Sequence, residues 1–129
     1  MIDGDKVWTG GLNDAYRETG AIGLYDTTLR DGEQTVGVVL SAEDKLEIAR
    51  ALDELGIGRI EAGFPRVSED DRRAFELIMA AGLEAEIWGF SRAVQADVEA
   101  LIELGVRASV IESPISELTT GTATGMRIV

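Results

Sequence analysis

The sequence predicts an α/β fold in which parallel strands alternate with helices. Segments with apolar residues at helical spacing end at three glycines, and a short β-prone run follows each of them: Gly56, Gly82 and Gly105. Strands that alternate with helices at an even spacing are joined by parallel βαβ crossovers rather than by hairpins. This pattern alone does not separate an open doubly wound sheet from a closed barrel.

The first predicted strand is the apolar and β-prone run 22–29, which leads into a polar cluster around Gly32. The cluster consists of Arg30, Asp31, Glu33 and Gln34. Catalytic and binding residues concentrate in the loops that follow the strands of α/β folds. The cluster therefore predicts a functional site, and a strand that runs into a solvated turn is the alternative interpretation.

Three helices and three further strands follow in alternation. Ser41 and Asp44 form a capping-box-like start of the first helix, and Ser68 caps the second. Strands are predicted at 57–64, 84–90 and 106–112, and helices at 41–55, 68–81 and 93–104. The polar, glycine-punctuated residues 1–20 predict an irregular arm, and the threonine- and glycine-rich residues 119–129 predict an irregular tail. Residues 21–118 between them are predicted to form one domain.

The composition argues against several classes of partner. With 24 acidic and 12 basic residues, the formal net charge is −12, which would repel nucleic acid and anionic membranes. The absence of cysteine excludes disulfides and thiolate chemistry. A mean hydropathy of +0.05 and the lack of a long apolar run predict a soluble protein, which we expect to be cytoplasmic.

The nine residues Asp-Thr-Thr-Leu-Arg-Asp-Gly-Glu-Gln at 26–34 resemble a known family signature. It is the first-strand signature of the metal-dependent Claisen-condensing enzymes, which are the 2-isopropylmalate, homocitrate and citramalate synthases of amino-acid biosynthesis. A second match, Glu-Ala-Gly-Phe-Pro at 61–65, follows, and the resemblance runs from about residue 22 to 116. These enzymes share a TIM barrel with the hydroxymethylglutaryl-CoA lyases and the carboxyltransferase domains of pyruvate carboxylases.

The resemblance implies a partial TIM (β/α)8 barrel with about the first four strands and three helices. A complete barrel of this kind takes ~250 residues. Because the chain has 129 residues, we expect a truncated or interrupted piece of a longer enzyme.

The resemblance also implies a transferase reaction, in which acetyl-CoA is condensed with a 2-oxo acid. Asp31 matches the ligand of a divalent metal, which would be Mg²⁺, Mn²⁺ or Zn²⁺. Arg30 matches the catalytic arginine that stabilises negative charge on the carbonyl oxygen of the 2-oxo acid, which it also binds. Glu61 matches the glutamate that holds this arginine, and Gln34 would lie beside the substrate.

Other polar residues also follow the predicted strands. Arg92, after the third strand, either binds a substrate carboxylate or caps a helix in solvent. The remaining candidates at strand ends are Ser91, Ser113 and Ser116.

One departure from the family leaves alternatives open. The family completes its metal site with two histidines on a late strand, and this chain contains no histidine. A lyase or carboxyltransferase relative that uses the same first-strand residues is one alternative. The other is a half-barrel without catalysis, which is inert or pairs its open strand edges with another copy of the chain to form a homo-oligomer.

Overall fold

The computed structural model describes residues 23–114, which form one four-stranded parallel sheet flanked by three helices. The strands are β1 Tyr25–Asp26, β2 Arg59–Glu61, β3 Glu86–Arg92 and β4 Ala108–Glu112. The helices are α1 Ala42–Glu54, α2 Glu69–Ala80 and α3 Gln95–Glu103, and a 3-10 turn spans Gly32–Gln34. The expected arm 1–20 and tail 119–129 lie outside the described residues.

The strand order distinguishes between the two arrangements that the sequence pattern left open. The strands lie in the order β1-β2-β3-β4, and each neighbouring pair is parallel. A doubly wound sheet reverses its strand order at a switch point, whereas a TIM barrel adds its strands in sequence. The four strands and three helices therefore have the arrangement of part of a TIM barrel, as predicted.

The first two strands are shorter than predicted. After Asp26 the chain turns, because the backbone amides of residues 30, 31 and 32 all donate to the carbonyl of Thr27, at 3.1, 2.8 and 3.3 Å. The predicted strand 22–29 was therefore too long, and Leu29 is a fully buried core residue in this turn. Strand β2 likewise has only three residues of the predicted run 57–64.

The helices begin and end as their local sequences predict. Ser41 accepts from the amide of Asp44, and the Asp44 side chain accepts from the amide of Ser41, which completes a capping box. Ser68 accepts from the amide of Asp71 at the start of α2. A glycine with positive φ follows each helix, at 86°, 68° and 76° for Gly56, Gly82 and Gly105.

The core lies between the sheet and the helices. Phe75 and Ile78 of α2 are buried against Ile60 of β2, and Leu101 of α3 joins the same cluster. Helix α3 approaches the sheet most closely at Gly89, where an added Cβ would lie 2.2 Å from Leu101 Cδ2. This packing holds the C-terminal ends of the strands side by side. None of the helices in the described part is long and apolar enough to cross a membrane.

Candidate functional site

Arg30 is the best-fixed polar side chain at the C-terminal end of the sheet. Its Nε donates to Oε1 of Glu61 at 2.7 Å. Its Cζ lies 4.8 Å from the centroid of the Phe90 ring, and its NH1 donates to Oδ1 of Asp31 at 3.0 Å. Contacts from β2 and β3 therefore orient a guanidinium carried by the turn after β1.

Glu61 is buried and uses both of its carboxylate oxygens. It is 1% exposed, and its Oε2 accepts from the Tyr25 hydroxyl at 2.7 Å. Burial, together with this hydrogen bond and the Glu61 charge, raises the pKa of Tyr25 far above its usual value. The hydrogen bond to Glu61 and its charge also raise the pKa of Arg30, although burial acts in the opposite direction. Arg30 is therefore permanently charged as well as oriented.

Asp31 and Gln34 are more open than Arg30. The Asp31 side chain is 63% exposed, and Gln34 lies exposed in the 3-10 turn. An open cavity of about 560 Å³ lies beside them and is lined by residues that include Arg30, Gln34, Phe90 and Ser113. The structure thus brings together the polar residues that follow β1, β2 and β4.

Arg92 contacts a different group of residues from the one around Arg30. Its Nε and NH2 donate to the two carboxylate oxygens of Asp97, at 2.7 and 3.1 Å. Asp97 is 1% exposed, lies in the first turn of α3 and also pairs with Arg66 at 3.4 Å. The hydrogen bond from Arg92 lowers the pKa of Asp97. Arg92 is therefore held by an ion pair with α3, but it does not cap the helix, whose N-cap Val94 has no side-chain cap hydrogen bond.

The serine candidates are not gathered at one point. Ser91 is fully buried, and its hydroxyl lies 3.3 Å from that of Ser109 on β4, so the pair links two strands. Ser113 lines the cavity beside Arg30. Ser116 lies outside the described residues.

Two polar residues that contact the candidate site were not predicted from the sequence: Lys45 and Tyr25. Lys45 is 2% exposed, and its Nζ lies 2.6 Å from Oε2 of Glu33 and 2.5 Å from Oδ1 of Asp71. A lysine on a helix is usually solvated. The available signal was its spacing, because Lys45 shares the buried face of α1 with Ala42 and Ala49.

The described residues do not by themselves make a closed divalent-metal site. Among residues 23–114 no group of three or more carboxylates is placed to hold an ion. Glu61 is engaged by Arg30 and Tyr25, and Glu33 by Lys45. Asp31 pairs with Arg30 through Oδ1 and is 63% exposed, so its other carboxylate oxygen could still bind an ion. A metal held by Asp31 would need ligands from beyond this part of the chain.

Comparison with known proteins gives consistent matches. The HMGL-like family model matches residues 21–129. Homocitrate synthase AksA of Methanothermobacter thermautotrophicus is 52% identical over 97 residues, which are 75% of this chain and 25% of that protein. A probable 2-isopropylmalate synthase of Methanopyrus kandleri is 53% identical over 83 residues, 64% of this chain and 17% of that protein.

A third relative, (R)-citramalate synthase CimA of Methanocaldococcus jannaschii, is 48% identical over 95 residues. These residues are 74% of this chain and 19% of that protein. The chain thus spans at most a quarter of the length of these three relatives. The family model matches most of the chain, and the parallel strand order agrees with it, so the chain belongs to the HMGL-like family.

Proposed function

We propose that this chain supplies the arginine-centred part of the site of an acyltransferase that condenses acetyl-CoA with a 2-oxo acid. The observation that carries the proposal is the fixed position of Arg30, which Glu61 and Phe90 hold at the C-terminal end of the sheet. The three relatives are named as homocitrate, 2-isopropylmalate and citramalate synthases, which supports a condensing reaction of this type. The shared C–C bond formation is the part of the function that this chain's residues would serve.

In this reaction the methyl carbon of acetyl-CoA loses a proton to a base and attacks the carbonyl carbon of the 2-oxo acid. The new C–C bond forms as the carbonyl electron pair moves to the oxygen, and water then cleaves the thioester to release CoA. Arg30 would stabilise the negative charge that develops on this oxygen. Because Glu61 and Phe90 orient the guanidinium beforehand, little reorganisation would be needed when the charge appears.

The other site residues take supporting roles in the proposal. Asp31 would contribute one carboxylate to a divalent metal whose further ligands lie elsewhere. Gln34 would contact the substrate from the 3-10 turn. Arg92 would fix the loop after β3 through Asp97 rather than bind substrate directly.

A chimera tests the proposal independently of how much of the enzyme this chain represents. The matching 97 residues of the homocitrate synthase AksA relative are replaced by those of this chain, and CoA thiol release is measured with a panel of 2-oxo acids. We expect turnover that depends on a 2-oxo acid. Arg30→Lys keeps the charge but loses the planar fork of donors, so it should lower kcat by about 100-fold to 1,000-fold.

The controls are the unmodified relative and its own arginine variant at the matching position. A folded chimera without turnover, or an Arg30→Lys chimera as active as its parent, would contradict the proposal. Cleavage of hydroxymethylglutaryl-CoA in place of condensation would support the lyase alternative. A chain that binds no substrate and self-associates in light scattering would support the non-catalytic half-barrel.

A further inference from the structure

We infer that Lys45 is a positioning residue of the candidate site, which holds the Gly32–Gln34 turn against the helix layer. The inference rests on the proposed function for the use of this turn, because Asp31 precedes the turn and Gln34 is its last residue. Lys45 lines neither of the two cavities beside Arg30. It contacts Glu33 and Asp71, which both line the smaller cavity, of about 320 Å³.

Lys45 joins three separate elements. It lies in the first turns of α1, and its ammonium group contacts Glu33 in the 3-10 turn and Asp71 at the start of α2. The side chains of Glu33 and Asp71 are 24% and 16% exposed, whereas that of Lys45 is 3% exposed. One buried cation therefore connects the loop after β1 to α1 and α2.

The turn has few other long-range contacts. Its backbone hydrogen bonds are local, since the amides of Glu33 and Gln34 donate to Thr28 and Asp31. Within residues 23–114, the long-range polar contacts of segment 30–34 are those of Arg30 with Glu61 and of Glu33 with Lys45. Arg30 secures the start of the segment, and Lys45 secures its end.

The chemistry of the pair supports a geometric role. A buried ion pair often adds little net stability compared with apolar residues of the same shape, because desolvation offsets the attraction. An apolar residue at position 45 would pack against α2 but would place no constraint on a carboxylate in the turn. A charged residue at position 45 instead fixes the position of the Glu33 side chain, and therefore the positions of the neighbouring residues in the turn.

Backbone ¹⁵N relaxation of the full chain tests the inference without any need for turnover. Glu33→Gln removes the charge at the turn and leaves the Lys45–Asp71 pair, and Lys45→Met removes both contacts. We expect both variants to lose the positive heteronuclear NOE at residues 32–34 while the values in α2 and β3 stay the same. Lys45→Arg, which keeps the cation, should retain most of the positive heteronuclear NOE at residues 32–34.

Two matched variants separate this effect from a general loosening of the helix layer. Arg73→Met removes the Arg73–Glu43 ion pair, which also joins α1 to α2 but does not reach the turn. Asp71→Asn weakens the far end of the Lys45 cluster and leaves the Glu33 contact. Both should leave the turn ordered. The inference would be overturned if the turn stayed ordered in a folded Glu33→Gln variant, or if Arg73→Met disordered the turn equally. If Lys45→Met does not fold, Glu33→Gln alone decides the test.

The chimera then connects the turn to catalysis. There, Glu33→Gln should lower kcat by about 100-fold, as expected when reacting groups are misplaced by about 1 Å. A disordered turn with unchanged kcat would refute the positioning role in the reaction. A disordered turn in a chimera whose parent has no turnover would instead contradict the proposed function and leave the structural tether established.

Discussion

Replacing Tyr25 by phenylalanine should destabilise the protein without opening a cavity. The Tyr25 hydroxyl donates to Oε2 of Glu61. Because Glu61 is 1% exposed, water has little access to this oxygen when the hydroxyl is removed. The Tyr25 ring packs edge-on against Trp88, with centroids 5.4 Å apart, and phenylalanine keeps that contact. A lost hydrogen bond to a buried charged group costs about 1.5–3 kcal/mol, which is the expected fall in the free energy of unfolding.

Urea unfolding followed by tryptophan fluorescence measures this difference, with Thr28→Val as the matched control. Thr28 also donates its hydroxyl to a carboxylate, that of Asp26 at 3.1 Å, but this pair is exposed. The control should therefore change the free energy of unfolding by less than about 0.5 kcal/mol. A Tyr25→Phe variant as stable as the control would refute the argument that Glu61 depends on its buried partners.

The same pair predicts the direction of the pH dependence. The pKa of Tyr25 is raised in the folded protein, whereas a tyrosine in the unfolded chain titrates near its ordinary value of 10.0. Above that pH the unfolded state has lost the proton that the folded state keeps, so stability falls as the pH rises further. The Tyr25→Phe variant should lack this part of the alkaline destabilisation, and an identical pH profile for the two proteins would contradict the assignment.

Three further outcomes are expected. Gly89→Ala should cost about 1–3 kcal/mol in urea unfolding, because its Cβ would overlap Leu101, whereas Gly58→Ala, whose Cβ would lie 4.0 Å from the nearest atom, should be nearly neutral. Calorimetric titration of Mg²⁺, Mn²⁺ or Zn²⁺ into the isolated chain, with a 2-oxo acid present, should show no saturable metal binding. If saturable binding were seen and Asp31→Ala abolished it, other ligands would complete the metal site. Arg92→Met in the chimera should leave KM for the 2-oxo acid unchanged, and a large rise in KM would instead place Arg92 at the substrate.

Features set by short segments could be predicted from the sequence. The capping box at Ser41 and Asp44 needs only four consecutive residues, and the left-handed glycines after the helices need only one each. The position of the candidate site was predicted from the fold class, because strand ends and their loops carry function in such folds. The nine residues at 26–34 added the family resemblance, and the match to the HMGL-like model confirmed it.

Features set by distant partners could not be predicted in the same way. Whether Lys45 is buried depends on carboxylates 12 and 26 residues away along the chain, at Glu33 and Asp71. The role of Tyr25 depends on Glu61 in a neighbouring strand. Arg92 was left open between two interpretations because its partner, Asp97, becomes adjacent only when α3 begins at Gln95.

The buried charged side chains of the described part share one location that stability alone does not explain. Of these residues, Glu61 ends β2, and Lys45 and Asp97 lie in the first turns of the helices that follow β1 and β3. Burying an ion costs several kcal/mol before its partners compensate, and apolar residues would fill the same space at no such cost. Each of the three instead pairs with a side chain after β1 or at the end of β3: Glu33, Arg30 or Arg92. Rigid support beneath functional loops is what a catalytic site requires, so we expect these ion pairs to form the framework of the candidate site.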